Sequence, residues 1–261
     1  MELRPEQLAA QAGKQPLQPA YLIAGPETLH VLEAADAVRA RARADGAERE
    51  VFEFDGREPD WNALAASFAA PGLFAPRRLL EVRLPGGKPG RTGAEVIGAF
   101  CADPPPDTHL LIVADEWSKA HHGKWVDAIA RCGVVAIAWA VKPHELPAWI
   151  DRRLRERGLR ATPEAVQGLA ERVEGNLLAA AQEIDKLALL APEGTLDLAT
   201  MQSLVADAAR YDVFRLLEAS LSGQPAQVRR ILAGLRAEGE QVAGLMPMVV
   251  RELLRGAAFA V

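Results

Sequence analysis

Cysteine is nearly missing from this chain: of 261 residues only Cys101 and Cys132 carry thiols. They have no zinc-ligand spacing and no extracellular setting, so buried free thiols in a reducing cytoplasm are expected. Long apolar runs are missing too, and the opening "MELRPEQLAAQAGKQP" lacks the apolar centre of a signal peptide. A cytoplasmic protein with no membrane partner follows as the expectation. Nor is there an excess of positive charge. The formal net charge is −5, which argues against a surface that holds nucleic acid all over. The one dense basic stretch, "DRRLRERGLR" from Asp151 to Arg160, spreads around a helix and is expected to be a solvated face. Aromatics are scarce at 5%, while Ala and Leu dominate, so helices should outnumber strands.

The chemistry of common enzymes is missing as well. His30, His109, His121, His122 and His144 form no H-E-x-x-H and no zinc set with the cysteines. The neighbours His121 and His122 fall on an expected helix and point apart. There is no G-x-S-x-G elbow, and neither cysteine has the local signature of a nucleophile. No catalysis by the chain itself, no metal and no cofactor are expected.

What is present is a pattern. Up to about residue 140, apolar β-type runs alternate with helical stretches, as in an α/β domain with a mainly parallel sheet. The strands are "AYLIAG" (20–25), "EREVFEF" (48–54), "RRLLEVRL" (77–84), "THLLIVAD" (108–115) and "GVVAIAW" (133–139). Between them fall a helix with Val31, Leu32, Ala35 and Val38 on one face, and a helix capped by Asp60 with Trp61, Leu64 and Phe68 inward. Two more follow, around "GAEVIGAFC" and "HHGKWVDAIARC". From Leu146 to Asp207 strands stop and four helices are expected. The first carries Leu146, Trp149, Ile150 and Leu154 and ends at Gly158. Thr162 with Pro163 opens the second, which Gly175 closes. Asn176 caps the third, with Leu177, Ala181, Ile184 and Leu187, and Asp197 caps the fourth. Further helices begin near Ala208, and Val261 falls in the middle of an apolar periodic run, so a continuing domain is expected.

The first strand-turn-helix is where a P-loop would lie. That motif needs G-x-x-x-x-G-K-[ST], whose backbone N–H groups wrap phosphate while the lysine neutralises it. Here Gly25, Pro26, Glu27 and Thr28 form a shorter turn without Gly-Lys-Ser/Thr, and Glu27 puts negative charge where phosphate would lie. Gly87-Lys88 follows the third strand and precedes Pro89, and is expected to be a flexible loop. Asp115-Glu116 looks like a Mg²⁺-holding Walker B pair. It follows the fourth strand, however, whereas the third, "LLEVRLP", has no acidic pair. A polar loop or a helix cap is the expectation.

One stretch stands out for another reason. In "APGLFAPRR", Leu73 and Phe74 sit between Pro71-Gly72 and Pro76, at a chain reversal. Burying such side chains is worth about 1.5–3 kcal/mol each. Either the protein's own core covers them or another protein does.

The domain layout and several motifs resemble a clamp-loader subunit, and specifically the delta-subunit family of bacterial DNA polymerase III. The motifs are "YLIAGPETLHVLEA", "DWNALAASFAAPGLFAPRRLLEVRLP", "ELPAWIDRRLRERGL", "VEGNLLAAAQEIDKLALL" and "DAARYDVFRLLEA". The resemblance spans nearly the whole chain, in the family's order and spacing. It implies an α/β plus all-α fold. Residues 1–141 would be an AAA+-like domain with a five-stranded parallel sheet and a degenerate nucleotide site at Gly25, Pro26, Glu27 and Thr28. Residues 142–208 would be a helical lid, and 209–261 the start of a helical collar. Leu178 stands where active relatives commonly carry a sensor arginine, and no Ser-Arg-Cys finger is present. The resemblance assigns Leu73 and Phe74 to a hydrophobic pocket of the beta sliding clamp, although "FAAPGLF" lacks the upstream glutamine of many clamp-binding peptides. It further implies partnership with gamma/tau and delta prime subunits and contact with DNA only in the assembled complex. The role would be opening the clamp ring in DNA replication without binding ATP, inside a holoenzyme with DNA-directed DNA polymerase (nucleotidyltransferase) activity. An active P-loop ATPase, or a DNA-binding protein acting alone, are the competing readings.

Overall fold

The structure is a computed structural model that describes residues 1–53, 60–69, 77–173, 175–191, 194–208, 219–225, 228–229, 232 and 250. The chain divides into two compact units, Met1–Lys142 and Pro143–Val261.

The first unit is a parallel sheet between two layers of helices. Its strands are β1 (Glu2–Leu3), β2 (Ala20–Ala24), β3 (Glu48–Glu53), β4 (Arg78–Arg83), β5 (Thr108–Ala114) and β6 (Val134–Ile137). They pair in the order β1-β6-β2-β5-β4-β3, all parallel. The helices are α1 (Pro5–Ala12), α2 (Thr28–Ala44), α3 (Trp61–Ala69), α4 (Gly90–Ala102) and α5 (Lys124–Cys132). Because side chains alternate along a strand, the sheet serves two cores. Tyr21, Ile23, Leu79, Leu111 and Val113 pack on Leu8 of α1 and on Val31, Ala35 and Val38 of α2. Leu22, Leu80, Val82, Leu110 and Ile112 pack on Trp61 and Leu64 of α3, Ile97 and Phe100 of α4, and Trp125 and Ile129 of α5. The central strands β2 and β5 are covered on both faces and so read as unbroken apolar runs. At one edge, β3 exposes Glu48, Arg49 and Glu50, charges that discourage pairing with another chain.

Several expectations are corrected. Among the described residues the sheet has six strands rather than five, because the two-residue β1 adds beside β6, a run too short to show periodicity. The helix α1, opened by Pro5, likewise went unread. On α2 the inward face is Val31, Ala34, Ala35 and Val38, while Leu32 is 42% exposed; one residue's step turns a helical side chain by about 100°. The helix expected from His121 starts at Lys124. His121 closes a 3-10 turn (Lys119–His121) and His122 is extended. Gly87 belongs to another 3-10 turn (Pro85–Gly87) and is buried. An added Cβ there would lie 2.3 Å from the Glu116 carbonyl oxygen, so the Gly87-Lys88 stretch is braced rather than loose.

Among the described residues, the helices of the second unit include α6 (Leu146–Glu156), α7 (Pro163–Val173), α8 (Leu177–Leu190) and α9 (Leu198–Ala208). Their caps are those expected. Thr162 Oγ1 accepts from the Ala165 N–H at 3.3 Å, Asn176 Oδ1 from Ala179 at 3.0 Å and Asp197 Oδ1 from Thr200 at 2.8 Å. Gly158, at φ +76°, follows the end of α6. The predicted stripes Leu146/Trp149/Ile150/Leu154 and Leu177/Ala181/Ile184/Leu187 are buried. The unit also has strands: β7 (Arg160–Ala161) and β8 (Thr195–Leu196) form a short parallel pair. Each lies in a connection between helices, where two residues give no alternation to read. Most of residues 209–261, the expected start of a collar, lies outside the described residues.

One polar group is built into the first core. Glu81 of β4 is fully buried between apolar neighbours. Arg39 of α2 grips it with two hydrogen bonds of 2.9 and 2.8 Å, Arg49 of β3 adds one of 2.8 Å, and Arg83 lies at 3.3 Å. Burial pushes the carboxyl's pKa up, but the hydrogen bonds and charges of Arg39 and Arg49 outweigh it and bring it down to about 2. A depressed carboxyl stabilises the fold above its unfolded pKa, about 4.5, and loses that contribution as the pH falls toward 2. Glu81→Gln should therefore lower stability at neutral pH by about 3 kcal/mol and flatten the decline between pH 4.5 and 2. Urea unfolding across that range checks both; a variant with parental stability and parental acid slope would contradict the assignment.

Candidate functional site

In a parallel sheet of this kind a phosphate would approach the start of the helix that follows the first long strand, because helix N-termini offer free N–H groups. Here that place is the turn Gly25–Thr28 between β2 and α2. Two of the turn's three backbone N–H groups are already committed. Gly25 N–H donates to Ala114 O at 3.1 Å and Glu27 N–H to Ala138 O at 3.2 Å, while Ala138 N–H donates to Ala24 O at 2.7 Å. Pro26 has no N–H to give. Gly25 has φ +147°, and a Cβ on it would stand 2.1 Å from the Ala138 carbonyl oxygen. The turn is thus pressed between the ends of β5 and β6, and Gly25 is there because nothing larger fits.

Glu27 is half-buried and Thr28 is exposed. Burial raises the Glu27 carboxyl, while the electrostatic influence of nearby His30 and the N–H groups of Val141 and Leu29 pull it partly back. A carboxylate of the chain itself thus stands against the first turn of α2. His30 is 5% exposed, with Nε2 3.6 Å from Glu6 Oε1.

Beyond β5, Asp115 and Glu116 are exposed, as expected of a polar loop. Among the described residues no group of three His, Cys, Asp or Glu side chains could hold a metal ion. In the second unit Leu178 is 37% exposed on the first turn of α8. The sheet brings the ends of β2, β5 and β6 together, so Gly25 and Ala114 meet, with Asp115 next along the chain.

Leu73 and Phe74 lie outside the described residues, but both flanks of their segment are described. On one side α3 is capped by Asp60, whose Oδ1 accepts from the Ala63 N–H at 3.0 Å. It packs Phe68 on Phe100 of α4 with ring centroids 4.8 Å apart. On the other side β4 begins at Arg78, a nearly buried cation. Its guanidinium donates to the Ser67 carbonyl near the end of α3 and to Glu50 Oε2 of β3 at 2.8 Å. Ser67 Oγ donates to Glu50 Oε1 at 3.3 Å. Arg78 therefore ties the end of α3 to the start of β4 and to β3. Sequence reasoning missed this junction; the Arg77-Arg78 pair at the mouth of an apolar strand was its one visible sign.

Fold and turn together define a parallel α/β sheet followed by a helical unit, with a first strand-turn-helix that lacks Gly-Lys-Ser/Thr. Comparison with known proteins narrows this class. The sequence profile of the family described as DNA polymerase III, delta subunit matches residues 21–137. The chain is 35% identical over 256 residues to DNA polymerase III subunit delta of Escherichia coli (strain K12), covering 97% of this chain and 74% of that protein. With DNA polymerase III subunit delta of Haemophilus influenzae it shares 28% over 256 residues, covering 95% of this chain and 73% of the relative. Among solved structures, the Bacillus subtilis DNA clamp loader delta protein superposes with a TM-score of 0.62 at 18% identity. That match covers 94% of this chain and 75% of that one, and it shows the shared fold. The chain belongs to the DNA polymerase III delta subunit family.

The filled turn makes a direct prediction. Gly25→Ala should cost about 3 kcal/mol, since it forces a methyl group into a carbonyl at a positive φ. Chemical unfolding of the variant checks this, and parental stability would mean that the turn is free to move.

Proposed function

We propose that this chain is the clamp-opening subunit of a replicative clamp loader, acting through protein contact and without binding ATP. Membership of the delta-subunit family supports the role. The single observation that carries the nucleotide independence is the state of the Gly25–Thr28 turn: its N–H groups at Gly25 and Glu27 are spent on Ala114 and Ala138. A carboxylate stands where phosphate charge would go.

In this reading Leu73 and Phe74 are the wedge. They enter a hydrophobic pocket on the beta sliding clamp and hold one interface of the ring in a shape that lets it open. The wedge needs extra contact with the opening-competent ring, because a ligand shifts an equilibrium only by its differential affinity for the two states. Phe74 is the stronger anchor, since buried aromatics dominate interface energetics. The tie from Arg78 to Ser67 and Glu50 suits this task by fixing both ends of the wedge segment on the sheet. Residues 1–141 then carry the clamp contact, 142–208 form a lid, and 209–261 begin the collar that meets the gamma/tau and delta prime subunits. DNA comes near only in the assembled loader, and ATP binding by the motor subunits governs exposure of the wedge.

Binding of the full chain to its cognate clamp, without nucleotide, tests the proposal beside a Leu73→Ala/Phe74→Ala variant. The parent should bind and the folded double variant should lose about a hundredfold or more in affinity. Millimolar Mg-ATP should leave the thermal midpoint unchanged, because a ligand of the folded state would raise it. Equal clamp binding by both proteins, or a midpoint that climbs with ATP, would overturn the corresponding half of the reading.

A further inference from the structure

The first unit has a groove of about 690 Å³ whose lining does not include the Gly25–Thr28 turn. It runs between the sheet edge at β1 and β6 and the start of α5. Its base is aliphatic: Val126 of α5 and Val135 of β6 are buried there, with half-buried Ile137 beside them. Two tryptophans line it. Trp117 is held edge-on to Trp125 at 6.0 Å between ring centroids. Trp139, just past the end of β6, leaves 54% of its surface in solvent. An indole that open above an aliphatic base is an unmet apolar surface at a concave site.

The exposed edge of the groove reverses the sign of the chain's overall charge. Arg4 and Lys119 line it, and among the described residues neither makes an ion pair. Glu2 is the one acidic side chain in the lining, and His122 has Asp127 3.6 Å away. In a protein of net charge −5, two uncommitted cations beside an apolar cleft favour an acidic visitor. A nucleic-acid strand is the poorer match. It asks for aromatic faces in series and cations tracking a backbone, whereas this cleft is aliphatic at its base.

We propose that this groove docks an acidic segment of another protein, anchored by one bulky apolar side chain that packs on Trp139 above Val135 and Ile137, with Arg4 and Lys119 engaging the flanking carboxylates.

A short fluorescein-labelled peptide with a single phenylalanine between runs of aspartate serves as the probe, read by anisotropy against the full chain. Saturable binding is expected, weakened about tenfold or more by Trp139→Ala and by Arg4→Glu/Lys119→Glu. Replacing the peptide's phenylalanine by alanine should have the same effect, and raising the salt should loosen binding by the parent. Circular dichroism melts confirm that the variants stay folded, and Leu73→Ala/Phe74→Ala should bind the probe like the parent. No saturable binding, or binding indifferent to the groove substitutions, overturns the proposal. So does oligothymidylate that binds this chain more tightly than the peptide and is lost with the same groove variants, which would make the site one for nucleic acid.

Discussion

Everything distinctive about this molecule turns on the closeness of three strand ends. The Ala138 carbonyl takes the N–H of Glu27, Ala138 returns its own N–H to Ala24, and Gly25 donates to Ala114. These bonds hold the exit of β2 between β5 and β6 so tightly that a single methyl group on Gly25 would collide with backbone. In a working nucleotide site the same turn would arch away and leave its N–H groups facing a phosphate. Here the hydrogen bonds that complete the sheet are the ones that consume those donors. The first turn thus serves as a structural joint of the sheet.

The sheet of the first unit is braced from several directions. The two apolar cores fix β4 from both faces, and the buried Glu81 with its arginines binds α2, β3 and β4 into one block. Arg78 then transmits that rigidity to the end of α3 through Ser67 and to β3 through Glu50.

Much of this was legible in the residues. The five longer strands show because parallel strands covered on both faces need apolar side chains at nearly every position, as in "AYLIA" and "THLLIVA". The helix caps in the second unit showed because Thr162, Asn176 and Asp197 act within three residues of themselves. What stayed hidden was short or non-local. Two-residue strands such as β1, β7 and β8 have no period. Glu81 reads as a polar interruption in an apolar strand until Arg39, distant in sequence, is placed over it. The missing Gly-Lys-Ser/Thr was visible from the start, but that Ala138 fills the space could be learned only from the pairing of β2 with β6. The groove at Trp139 was equally beyond sequence, since its lining comes from the chain's first residues and from residues past 116.

We propose that this chain opens a ring by contact alone, without binding nucleotide. The most direct measurement places a donor and an acceptor fluorophore across one interface of the cognate clamp and follows energy transfer as this chain is added without nucleotide. The account predicts that transfer falls saturably with the chain and that ATP does not alter the curve. A ring whose transfer stays constant while the chain is bound, or falls only once ATP is supplied to this chain alone, would contradict it.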